Sequence, residues 1–378
     1  MKKMLLPALL CCYSLHASAQ RALTVNYSVD TLEADVRTAL QFFRNYLSDF
    51  RKDSDFRAGI NPAHSLPDFR RYWSPADCRD YSIPDQMVYA IASDYPTYLL
   101  GNSCTILSVV PDSSIVRIRT MFGNADSGNR YYPLAIANHY IAFDKERKPY
   151  FISPLKRNGH LWQTKEWEDI LYTYPAGTSF DSSGARQLSQ KVRKLRKEWG
   201  LPPIRIRYYY ADSREEIDRL RGFDYTPDMT NRSKPSGISD DRDNLVYCAG
   251  WGAGYFHEVV HIYLNRLFPD SPLKEGLAAF YGGSMGHDLN WHRERLSRYL
   301  ADHPEIDPAD ESFYYMDNYT NPQSTIQAML CSYVYRHEGV AGLRRLMSYK
   351  TMDEIYDKAF RSPQRQRNAF LRKLIAAR

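Results

Sequence analysis

Residues 254–265 run Gly-Tyr-Phe-His-Glu-Val-Val-His-Ile-Tyr-Leu-Asn, and no other stretch of the 378-residue chain restricts the fold so tightly. Phe256, Val260, Leu264 and Leu267 recur every three to four positions, the period of a helix with one face in a core. In that frame His257 and His261 stand one turn apart and point the same way. Two imidazoles so placed reach one metal ion, and Glu258 alongside reaches a water on it. Burying such polar groups without partners is costly, so the pair calls for a shared ligand. Zinc in hydrolases takes three protein ligands and leaves one position for water, so the chain must also deliver a third ligand from elsewhere.

After a turn at Pro269-Asp270-Ser271 comes Pro272-Leu273-Lys274-Glu275-Gly276-Leu277-Ala278-Ala279-Phe280-Tyr281. Glu275 falls in the first turn of a predicted second helix, and Gly276, Ala278 and Ala279 are small enough to let that helix press against the first. The helix dipole alone favours an acid in a first turn. That accounts for the acid but not for the histidine pair it would face. His287 is the rival third ligand. A metzincin arrangement is excluded, because Leu264 and Leu267 stand where it needs Gly and His. Asn265, one turn past His261, reads as a helix-end residue or as a hydrogen-bond partner for a ligand. Gly250-Trp251-Gly252-Ala253-Gly254 has neither a Gly-Lys-Ser/Thr ending nor Rossmann spacing, so it reads as a crossing into the ligand helix and not as a phosphate loop.

With His257-Glu258-x-x-His261 followed by Glu275-Gly276-Leu277-Ala278, the chain resembles the gluzincins, the thermolysin-like and aminopeptidase-like zinc metallopeptidases, over residues 203–378. The resemblance implies one zinc ion on His257, His261 and Glu275, with Glu258 as general base for hydrolysis of a peptide or protein substrate by a zinc-bound water. It implies too that the strand before the ligand helix is an exposed edge on which substrate pairs, which assigns Tyr247, Ala249 and Gly250 to substrate binding. Thirteen residues separate His261 from Glu275, fewer than in thermolysin or the aminopeptidases. The group adds a Tyr or His to steady the developing oxyanion. Alignment on residues 331–339 puts the aminopeptidase tyrosine near Ser324 or Thr325, where none stands, so Tyr319 is the expected donor ahead of Tyr314, Tyr315 and Tyr281. The alternative is a non-catalytic peptide- or glycan-binding protein with a degenerate or structural zinc site. The missing tyrosine supports it, and retention of Glu258 opposes it.

The first nineteen residues place Lys2 and Lys3 before an apolar run and end in Ala17-Ser18-Ala19, the layout of a secretory leader cleaved after Ala19. The run is too short to span a bilayer, and Leu10 and Cys11 precede the two cysteines where a lipoprotein signal needs a small residue. The expected location is therefore the periplasm or beyond, without stable membrane insertion. Loss of the two lysines lowers the formal net charge from +6 to +4, and no basic block interleaved with aromatics remains to bind nucleic acid. Cys78, Cys104, Cys248 and Cys331 are left, and their spacing fixes no disulfide pairing.

The length suits about two domains. A helix over 29–50 carries Leu32, Val36, Leu40, Phe43 and Leu47 on one face, and β-rich runs follow at 98–110, 115–122, 134–143 and 149–152. Residues 20–182 thus read as an accessory α+β domain, whose element order and Tyr72-Trp73 pair resemble the cone-shaped nuclear-transport-factor-like fold. A linking helix in 183–202 places Leu188, Val192, Leu195 and Trp199 on one stripe. Residues 203–378 form the expected metallopeptidase-like domain, mainly helical beyond a small sheet, and the whole is expected to be α+β.

Overall fold

The computed structural model describes residues 23–52, 70–85, 102–125, 128, 130–230 and 235–377, and the expected leader lies outside them. Within that range the chain is mixed α/β with two sheets, broadly the α+β class expected. The first sheet is a meander in which β1 (Leu23–Val25), β2 (Ser103–Asp112), β3 (Ile115–Ala125), β4 (Tyr131–Phe143) and β5 (Pro149–Ile152) lie in that order. The pairs from β2 to β5 are antiparallel, and β1 joins β2 in parallel. Alternate residues of β2 and β3, among them Cys104, Ile106, Val116, Ile118 and Phe122, enter one core, as a period of two requires. Against them α1 (Ala34–Lys52) lays Val36, Leu40, Phe43 and Leu47. Leu32 does not join, being 84% exposed, because Asp30 closes a local turn on the Leu32 N–H and the helix starts only at Ala34. Tyr72 and Trp73 complete this core.

The second sheet takes β6 (Trp162–Trp167), β7 (Ile170–Pro175) and β8 (Ile206–Ala211) from the middle of the chain. The short β9 (Phe223–Tyr225) returns to pair with β4 of the first sheet. Two more strands, β10 (Ser236–Asp240) and β11 (Leu245–Ala249), then give the order β10-β11-β8-β7-β6. β7, β8 and β11 are mutually parallel, while β6 and β10 are antiparallel edges. Joining β7 to β8 in parallel needs a crossover, which α2 (Ser182–Trp199) supplies. This is the helix expected to link two domains. Instead of bridging them it packs Leu188, Val192, Leu195 and Trp199 into the core of the second sheet.

The two cores meet across β11 of the second sheet. Leu245, Tyr247 and Ala249 face the core of the first sheet, and Val246 and Cys248 face the helices on the other side. Beyond β11 the chain is helical, with α3 (Phe256–Leu264), α4 (Lys274–Gly282), α5 (Leu289–Asp302), α6 (Pro322–Met347, kinked at Gly339) and α7 (Gln364–Ala376). α4 crosses α3 at close range, and a Cβ built at Gly282 would stand 2.6 Å from the His257 Cα. No helix among the described residues is long and apolar enough to cross a membrane.

Candidate metal centre

The start of α3 is fixed from outside the helix. Asp181 caps α2 by accepting from the Gly184 N–H at 2.8 Å, and its second oxygen accepts from the Ala253 N–H at 3.0 Å. One carboxylate thereby ties the crossing after β11 to the end of α2. All nine residues of α3 are buried. Val259, Val260, Ile262, Tyr263 and Leu264 fill the core, which leaves His257 and His261 to meet α4 and Glu258 to meet β10.

His257 Nε2 and His261 Nε2 lie 3.2 Å apart. Glu275 places Oε2 at 3.5 Å from the first and Oε1 at 3.3 Å from the second. Donors bound to zinc at roughly 2.0–2.1 Å in a tetrahedron stand about 3.3–3.4 Å from one another. The separation of the two rings matches that value and each ring meets one of the two Glu275 oxygens at a similar distance, so these residues fit a zinc ion. Among the described residues this is the one group of three or more His, Cys, Asp or Glu side chains with such convergence.

The outer ring nitrogens fix which way the lone pairs point. The Gly283 carbonyl only accepts, so His257 Nδ1 at 2.6 Å donates to it and Nε2 of the neutral ring presents a lone pair. His261 Nδ1 donates to Asn265 Oδ1 at 3.2 Å with the same result. Asn265 is therefore both the end residue of α3 and the hydrogen-bond partner of His261. Two lone pairs and a carboxylate converging on one point repel unless a cation sits between them.

That repulsion appears as shifted acidities. Burial opposes a charge on His257, but the Glu275 hydrogen bond, the charges of Glu258 and Glu275 and the Gly283 carbonyl outweigh it and lift its pKa to about 9. Glu275 keeps 64% of its side chain exposed while its carboxyl group lies against the two rings. Desolvation there opposes ionisation, yet His261, His257 and Lys274 hold its pKa down at about 2. Without metal, His257 thus carries a proton below about pH 9. Since this value lies above the unfolded one of roughly 6.5, the proton stabilises the metal-free fold fully below that pH, and the effect fades as pH rises through about 9. A zinc ion held on His257 Nε2 would displace it. Near pH 7 zinc binding is expected to release a proton, and affinity to rise up to about tenfold per pH unit until pH 9. Calorimetry in two buffers of different ionisation enthalpy measures the release, and zero release would rule out His257 as the proton holder.

The other expected site residues fall in different places. His287 stacks on Trp291 with centroids 3.7 Å apart and stands outside the convergent group. Tyr319 is half exposed, with its ring against His287 and Trp291 at 6.2 and 6.3 Å, so it belongs with those rings and not with the histidine pair. The Tyr281 hydroxyl accepts from Trp199 Nε1 at 2.8 Å at the far end of α4, and Tyr314 and Tyr315 are exposed. All four described cysteines are free.

The substrate strand expected at Tyr247, Ala249 and Gly250 needs correction. β11 is hydrogen-bonded to β8 on one side and β10 on the other, and Tyr247 and Ala249 are only 5% and 2% exposed. Tyr247 turns toward the first sheet, stacking with Tyr209 under Arg221. The free edge beside the ligand helix is β10. Two residues that the sequence reading passed over belong to it: Ser239, whose hydroxyl donates to Glu258 Oε2 at 2.8 Å, and Gly237. The polar turn Asp241-Arg242-Asp243-Asn244 before an apolar strand was the available hairpin signal. Compared with protein-family models and with curated proteins, the chain matches none.

Proposed function

We propose that the protein is an exported zinc metallopeptidase of gluzincin type, in which His257, His261 and Glu275 hold one zinc ion and Glu258 is the general base. The observation that carries this reading is the convergence of His257 Nε2, His261 Nε2 and the Glu275 carboxylate at 3.2–3.5 Å, with the outer ring nitrogens bonded to Gly283 and Asn265. A bound zinc ion supplies Lewis-acid activation of a water and of the scissile carbonyl. Glu258, 7% exposed and next to His257 in the chain, would take a proton on its carboxylate and pass it to the leaving amine. Along β10 an extended peptide adds as a further antiparallel strand, which brings its backbone past Glu258. The antiparallel edge beside the ligand helix supports a gluzincin-like layout for the second sheet and its helices, and α1 against the meander supports the nuclear-transport-factor-like cone. The leader then directs export, with cleavage after Ala19 and a peptide or protein substrate met in the periplasm or outside the cell.

Tyr319 stands apart from the histidine pair, which favours a second reading, a peptide- or glycan-binding protein with a structural zinc site. A quenched-fluorescence peptide library decides between them. Turnover lost to a chelator and restored by zinc is expected, whereas zinc at one per chain with no turnover would favour the binding protein.

A further inference from the structure

Gly237 and Ser239 alternate along β10 and so share one face, the face that meets α3. Ser239 Oγ donates to Glu258 Oε2 at 2.8 Å. A Cβ built at Gly237 would lie 2.5 Å from Glu258 Oε1, 2.8 Å from its Cγ and 2.6 Å from Tyr255 Cε1. The carboxyl group therefore lies beneath the strand, with one oxygen bonded to the hydroxyl and the other close to the bare Cα of Gly237. Ile238 points the opposite way into the core of the first sheet. The strand is also fixed at its far end, where the Asp243 carboxylate accepts from the Ser82 N–H and hydroxyl at 2.8 and 2.7 Å. Asp240 accepts from the Arg242 and Asp243 N–H groups in the same turn.

We propose that β10 clamps the general base: Ser239 is a positioning residue that holds Glu258 Oε2 and leaves Oε1 to receive the proton, and Gly237 is the gap that admits the carboxyl group. The proposal rests on the metallopeptidase reading and adds to it a coupling between substrate and base. The strand that offers its free edge to a peptide also orients the group that acts on that peptide, so pairing and proton transfer share one rigid element.

The test uses the zinc-loaded full chain and its Ser239→Ala, Ser239→Thr and Gly237→Ala variants. Ser239→Ala is expected to lower kcat roughly tenfold while KM stays within about twofold and zinc stays at one per chain, with Ser239→Thr recovering most of the loss. Gly237→Ala pushes a methyl group at Oε1 and is expected to lower kcat further, by about a hundredfold. A peptide hydroxamate, whose hydroxyl bonds the base, gives a readout independent of turnover, and its affinity is expected to fall in Ser239→Ala and return in Ser239→Thr. Wild-type kcat and hydroxamate affinity in Ser239→Ala would overturn the clamp, as would loss of zinc or a threonine variant no better than alanine. A wild type without peptidase activity whose hydroxamate affinity still follows the hydroxyl would overturn the peptidase reading and leave the clamp standing.

Discussion

Glu258→Gln is expected to lose about three orders of magnitude in kcat while keeping its zinc. Glutamine has the same shape, and its carbonyl oxygen still accepts from Ser239, so the side chain stays under β10. What it loses is the capacity to take a proton, a function that contributes about 10²–10⁴ in rate where a side chain acts as general base. Glu258 is not one of the three residues of the convergent group, so metal content has no reason to change. The two outcomes are measured separately, kcat on a cleaved peptide and zinc per chain by elemental analysis. Activity within tenfold of wild type would remove Glu258 from proton transfer. Zinc lost together with activity would instead make it a ligand and reassign the centre.

The convergence of His257, His261 and Glu275 was legible in the sequence because helical geometry fixes most of it. A spacing of four puts His257 and His261 in register whatever the rest of the fold does, and Glu275 opens the helix that returns to them after the turn. The small residue that brings α4 against α3 is Gly282, not Gly276 as expected, because Gly276 lies against Gln327 and Ala328 of α6. The edge of the second sheet beside α3 was not legible, for reasons particular to two strands. β11 reads Leu-Val-Tyr-Cys-Ala, a continuous apolar run, which is the mark of a central strand buried on both faces. The true edge reads Ser-Gly-Ile-Ser-Asp, poor in strand formers because its outer side has no partner and its inner face must make room for a carboxyl group. The division at residue 183 concealed an interleaving for a similar reason. β6 and β7 precede it yet belong to the second sheet, and β9 follows it yet joins the first. Such non-consecutive pairing leaves no shift in composition for a reader of the chain to find.

His261→Ala is expected to weaken zinc binding by about three orders of magnitude, the complement of the glutamine variant. Zinc held by a full protein ligand set is bound by roughly 10–16 kcal/mol, so losing one ligand of three costs about 3–5 kcal/mol, or about a thousandfold in affinity. The residue is 5% exposed, Asn265 loses its partner at the end of α3, and the remaining pair, His257 Nε2 and Glu275 Oε2 at 3.5 Å, forms only one edge of the coordination polyhedron. A ligand that binds only the folded state stabilises it by about 4 kcal/mol at a thousand times its Kd. Micromolar zinc should therefore raise the melting temperature of the wild type by several degrees and leave that of His261→Ala unchanged. Competition with a chromophoric chelator gives the affinities directly. Because Glu258→Gln keeps zinc and loses turnover, whereas His261→Ala loses both, the pair separates holding the ion from using it. Undiminished zinc uptake by His261→Ala would mean that the metal sits elsewhere and that the convergence of these side chains has another cause, and the ligand set and the peptidase reading would fall together.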